Sequence, residues 1–173
     1  TDKQVGAVYK FTNVRPGADA TVTLSFISPG ITVVDLDAGS GYSEALQPTL
    51  DASPFTNGYL QMDFKLLVAG TNNPYTALLL PVTCIDVDGT LNNDGNGKPL
   101  FEFDEVNMGN GGSVDFNTYG GELIISQTGN WYKGKNISGI DYPGRDTAAR
   151  NVMFTVLNTN VKQFTIRVGV DNQ

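Results

Sequence analysis

The segment whose reading decides the fold is Leu78–Gly97, LLLPVTCIDVDGTLNNDGNG. It opens as an apolar run, passes through Asp86-Val87-Asp88-Gly89-Thr90-Leu91, and ends in Asn92-Asn93-Asp94-Gly95-Asn96-Gly97. Two chemistries fit these residues. D-x-D-G-T-L at the end of a strand is where a phosphohydrolase places a nucleophilic Asp and, two residues on, a general acid/base. The same acids followed by an Asn/Gly loop also supply the oxygen donors that calcium takes. The first reading needs a parallel α/β sheet around the segment, and the second does not.

The surroundings are β throughout. Thr21–Phe26, Leu60–Leu66, Val152–Val156 and Phe164–Val170 alternate apolar and polar residues, so each is a strand with one face on a core. Val5–Phe11, Ile31–Leu36, Leu78–Val87, Leu100–Phe103, Val114–Tyr119 and Glu122–Ser126 are further candidate strands. Turn clusters such as Arg15-Pro16-Gly17, Ser28-Pro29-Gly30 and Gly120-Gly121 separate them. No stretch long enough for a helix carries an apolar stripe at helical period; Asp146–Asn151 could form one short helical turn. The expectation is one domain over residues 1–173, an antiparallel β-sandwich of about nine or ten strands. In that setting the phosphohydrolase of haloacid-dehalogenase type has no place, because Asp86 and Asp88 stand mid-chain with no alternating helices and no later acidic pair.

Composition narrows the function further. With 18 acidic and 11 basic residues the net charge is −7, which opposes a nucleic-acid or anionic-membrane partner. No apolar run is long enough to insert into a membrane. There is no His, which removes Ser-His-Asp and Cys-His catalysis and His-ligated zinc. The single Cys, Cys84, has no internal disulfide partner and sits in an apolar run, so it reads as a small buried hydrophobe. The chain reads as a monomeric domain within a longer protein.

The acidic motifs favour a metal over catalysis. Glu102 and Asp104 share a strand face, as the carboxylates of jelly-roll glucanases do. The third position on that face is Val106, and Glu105 points the other way, so no retaining pair results. Asn92–Gly97 matches the opening of an EF-type calcium loop, but Phe103 stands where the bidentate Glu belongs and Pro99 forbids the exiting helix. An irregular calcium site is the remaining fit. Asp86 and Asp88 are the leading candidate ligands. Asp35 and Asp37 in VVDLDAGSG, with Asp94, Asp104 and Asp171, complete the candidate set. Trp131 and Tyr132 in TGNWYKG could stack on a ligand or pack in the core. Asn136-Ile137-Ser138 is a glycosylation sequon, and Gly111-Gly112-Ser113 falls short of the RTX repeat G-G-x-G-x-D.

Read in order, YKFTNVRPGADATVTL, VVDLDAGSGY, GYLQMDFKLL, VTCIDVDG, ELIISQTGNWYKG and VLNTNVKQFTIRVGVDNQ resemble β-sandwich modules of secreted bacterial surface proteins. One version of that module is the calcium-dependent peptide-binding domain of large RTX adhesins. The resemblance implies an extracellular, cell-surface, non-enzymatic adhesion module in which a partly open Ca2+ accepts the C-terminal carboxylate of a peptide or protein. It assigns Asp86 and Asp88 to the metal. Tyr42, Gln47, Trp131 and Tyr132 are ligand-binding candidates by residue type. The rival expectations are a calcium-rigidified spacer, which would show closed ions, and a carbohydrate-binding module, which would show a planar row of exposed aromatics.

Overall fold

The computed structural model describes residues 1–38, 45–53, 56–93, 98–142 and 148–172. Among them run thirteen strands: β1 (Val8–Arg15), β2 (Ala18–Ile27), β3 (Ile31–Asp35), β4 (Thr49–Ala52), β5 (Gly58–Val68), β6 (Ala77–Cys84), β7 (Gly89–Asn93), β8 (Lys98–Asn107), β9 (Ser113–Phe116), β10 (Leu123–Thr128), β11 (Trp131–Asn136), β12 (Phe154–Val161) and β13 (Gln163–Asn172). The one helical piece among the described residues is a 3-10 turn at Arg150–Val152. The chain is all-β, as its alternation requires.

Eight strands form one large sheet in the order β1-β2-β5-β13-β8-β11-β10, with β7 pairing β8 from off that path. Two small sheets, β6-β12-β9 and β3-β4, complete the architecture. Every paired strand is antiparallel. Register places Leu24, Met62, Ile166, Val106 and Tyr132 in a row across β2, β5, β13, β8 and β11. Because side chains alternate between faces, this row fixes the inner face of the large sheet.

Among the described residues that face carries three apolar clusters, a small one of Ala20, Leu66 and Ala77 and two larger ones. Val106, Tyr132 and Leu123 pack against Cys84, Phe154 and Val156 of the sheet β6-β12-β9. Val22, Leu24, Leu60 and Met62 pack against Val33 and Leu36, at and just beyond β3. Phe164 and Ile166 touch both larger clusters, and the Phe64 and Phe164 rings stack at 4.5 Å. Each fully buried aliphatic or aromatic side chain contributes on the order of 1.5–3 kcal/mol, so this continuous apolar layer is the main source of stability.

Several strand boundaries differ from the sequence expectation: Val5–Phe11 is shifted to Val8–Arg15, Leu100–Phe103 extends to Lys98–Asn107, and Val114–Tyr119 ends at Phe116. Three further differences have a local reason that bears on the acidic residues or the turns. The Leu78–Val87 strand ends at Cys84, because Asp86 turns into the left-handed region at φ 65. Asp86 and Asp88 therefore lie in the β6–β7 connection and not on a strand face. Val152 closes the 3-10 turn, so β12 starts at Phe154. Asn92 and Asn93, expected in a loop, end β7, which pairs with the long β8. The expected helical turn overlaps the 3-10 turn at Arg150 and Asn151, and its residues 146 and 147 lie outside the described residues.

Candidate functional site

β8 brings acids into the sandwich. Val106 is fully buried, so the residues two and four places before it, Asp104 and Glu102, share the inner face. Phe103 and Glu105 point the other way, where Glu105 pairs with Lys133 and with Arg167. The β6–β7 connection then delivers two more acids. The Glu102 N–H donates to the Asp88 carbonyl at 3.0 Å, which sets Asp88 beside Glu102, and the Val87 N–H donates to Val152 O, which ties the connection to the 3-10 turn just before β12. Asp86 follows the buried Cys84 by two residues.

The electrostatics of this group are those of negative charge held out of water. Burial, then Asp88, Asp104 and Asp86, push the Glu102 carboxyl up to about 8. Burial raises Asp104 to about 7 against a hydrogen bond from the Cys84 thiol, and burial together with Asp104 holds that thiol well above its ordinary range. Burial raises Asp88 to about 6; Asp86, Asp141 and Glu122 add to the rise, while the Tyr142 N–H opposes it. Among the described residues no Lys or Arg forms an ion pair with Asp88, Glu102 or Asp104.

A short segment crosses beside this group. Tyr142 N–H donates to Asp88 Oδ2 at 2.9 Å, and the Tyr142 hydroxyl donates to Glu122. The Ser138 hydroxyl also donates to Glu122. Asn136 anchors the segment: its Oδ1 accepts from the Ser138 and Gly139 N–H groups, and its Nδ2 donates to Val87 O. Asn136 is 0% exposed, so the sequon at Asn136 serves packing. Glu102, Glu122 and Tyr142 were absent from the metal and ligand candidates read from sequence. Only the shared face of Glu102 and Asp104 signalled any of them; Tyr142 meets Asp88 across 54 positions of chain, which no local pattern encodes.

Of the sequence candidates, Asp86, Asp88 and Asp104 all lie around Glu102, each raising its carboxyl, without meeting at one point. Asp35 and Asp37 do not join them. They lie by β1, which is four strands from β8 in the large sheet, on the order of 19 Å. Asp35 Oδ1 accepts from Asp37 N–H, and Asp37 Oδ1 from Gln47 N–H, so both acids cap the chain leaving β3. Asp171 is in register with Phe101 and pairs with Lys135 at 2.5 Å, on the outer face. Asp94 and Tyr42 lie outside the described residues. Among the ligand-binding candidates, Tyr132 is a core residue whose hydroxyl donates to Gly112 O. Gln47 is buried at 7% exposure. Trp131 is on the outer face with the Arg167 guanidinium 3.8 Å over its ring.

The acidic side chains are oxygen donors of the kind that suits calcium. Among the described residues no three of them converge closely enough to form a finished metal cage. No family model, curated protein or solved structure matches this chain.

Proposed function

We propose that the chain is a non-enzymatic, calcium-dependent binding module of the extracellular adhesin kind. Asp86, Asp88, Glu102 and Asp104 are its cation site, and a peptide or protein C-terminus is its ligand. One observation carries the reading: Asp88, Glu102 and Asp104 share a partly buried place, each raised toward its protonated form, with no described Lys or Arg paired to them. Such a group is neutralised either by protons or by a cation, and oxygen-only donors select a hard divalent ion. Binding closes the acids around the ion. An ion left partly open to water then accepts an external carboxylate that a −7 chain would otherwise repel.

A second reading is favoured by the Tyr142 N–H on Asp88, which covers part of the group. On that reading the ion is closed and only rigidifies the domain. The outer-face aromatics give less support to a carbohydrate platform, because cations already lie over them: Arg167 over Tyr59 and Trp131, and Lys133 over Phe103.

Two calorimetric titrations test the proposal. Calcium added to chelator-stripped protein is expected to bind and raise Tm. A peptide ending in Asp or Glu is then expected to bind only with calcium present, and to lose binding when its C-terminus is amidated. Absence of any calcium effect on Tm overturns the proposal. Calcium binding without peptide binding selects the rigidifying ion.

A further inference from the structure

The flank of the large sheet formed by β1 makes no use of the acidic group on β8. β1 is the last strand on that side and, among the described residues, pairs only with β2, so no described strand covers its other edge. In an antiparallel pair, alternate residues turn their N–H and C=O away from the partner, so an open edge presents donors and acceptors to a further strand. The second half of β1 is blunted. Its register slips between Phe11 and Arg15, with Asn13 in the left-handed region at φ 56. The first half, Val8–Phe11, pairs regularly with Thr23–Ala20.

That regular half borders a surface hollow of about 490 Å³ lined by Val8–Phe11, Asp2, Lys3 and Asp35–Asp37. The charges of its walls are unequal in availability. Lys10 pairs with the buried Asp19 at 3.4 Å, and the Lys3 ammonium is held on the Val34 carbonyl at 2.7 Å. The three carboxylates receive hydrogen bonds from neutral donors: Asp2 from the Tyr9 hydroxyl, Asp35 from Asp37 N–H and Asp37 from Gln47 N–H. Those bonds leave their charge in place, as the carbonyl contact does for Lys3, so among the described residues three carboxylates face one ammonium that no carboxylate pairs. The hollow thus joins an exposed hydrogen-bonding edge, the exposed Val8 and a wall of net negative charge.

We propose that the Val8–Phe11 edge of β1 docks an extended peptide segment rich in Lys or Arg, which adds as a further strand and sets its cations against Asp2, Asp35 and Asp37. The strand edge supplies main-chain hydrogen bonds and the acidic wall supplies selectivity. The shape and charge exclude an acidic strand, which would meet three like charges.

The test uses the whole chain in chelator, so it stands apart from the calcium proposal. Three labelled peptides of one length are titrated by fluorescence anisotropy: alternating Lys/Val, alternating Glu/Val, and Lys/Val with alternate backbone nitrogens methylated. The Lys/Val peptide is expected to bind at least tenfold tighter than either of the others. It is also expected to slow amide exchange at Val8–Phe11. The double variant D35N/D37N keeps the oxygen that caps each turn and is expected to weaken binding at least fivefold. Equal binding of the methylated peptide would mean attraction to the net charge alone and overturns the site. So does failure of the Lys/Val peptide to bind, equal binding of the Glu peptide, or protection that appears elsewhere.

Discussion

Asn136 joins three backbone groups through one side chain, and its loss would strand all of them. Asn136→Ala removes the partners of Val87 O, Ser138 N and Gly139 N. We expect a cost of about 3 kcal/mol, or a fall of roughly 6–12 °C in Tm by scanning calorimetry. The burial of Asn136 also makes a glycan incompatible with this fold, so folded protein secreted from a glycosylating host should carry none there by mass spectrometry. The acids of the candidate site give a pH dependence of definite sign. A carboxyl whose folded value is raised stabilises the fold below its unfolded value and loses that contribution as pH rises through the folded one. From ordinary values of 3.8 for Asp and 4.5 for Glu, the windows run to about 6 for Asp88, about 7 for Asp104 and about 8 for Glu102. In chelator, Tm should therefore fall from pH 5 to pH 8, by at least about 3 °C. Calcium should reverse most of that fall and act weakly at pH 5. Asp104→Asn removes one of the like charges: it should raise Tm at pH 8 in chelator and weaken calcium binding at least tenfold. A Tm that rises with pH in chelator would contradict the burial of these groups. Asp19 works in the opposite sense. The Gly70 and Asn13 N–H groups hold its carboxyl below the ordinary value, so its contribution is present above pH 3.8 and is lost in stronger acid.

At the scale of the element, the sequence disclosed strands where aliphatic residues alternate, and hid those built on other principles. β2, β5 and β13 repeat apolar residues every second position, which is enough to place them. β11 reads WYKGKN and shows no such repeat, because Gly134 stands where an apolar side chain would be expected. The Phe154 ring from the facing sheet fills that place: a Cβ on Gly134 would come within 2.5 Å of it. Gly134→Ala should thus force the two sheets or the ring to shift, at a cost of about 1–3 kcal/mol seen as an earlier urea midpoint. β7 is short and ends in residues that usually mark turns, so its pairing with β8 could not be read locally. Asp86 and Asp88 stand out by their D-x-D motif and Asp104 by its place in the acidic pattern. Their gathering around Glu102 depends on the β6–β7 connection lying against β8, a contact between separate elements that spacing does not record. The open edges are managed unevenly. β6 carries Pro81, which lacks the N–H that a further strand would need, whereas β1 is protected by its bulge only beyond Phe11.

At the scale of the molecule, composition and period made the all-β sandwich readable, but not the order of its strands, which follows from distant pairings such as β5 with β13. That order has a consequence for how the chain is made. β13 is the last strand in sequence, yet it lies between β5 and β8 at the middle of the large sheet. A ribosome that has produced everything through β12 holds two unjoined pieces, β1-β2-β5 and β7-β8-β11-β10, each with a bare inner edge. Only arrival of Gln163–Asn172 welds them. Removing those ten residues should split the sheet and give insoluble protein, where a strand trimmed from either flank would leave the weld intact. The domain should therefore acquire protease resistance abruptly and late in its synthesis, with half-finished chains as its most aggregation-prone form.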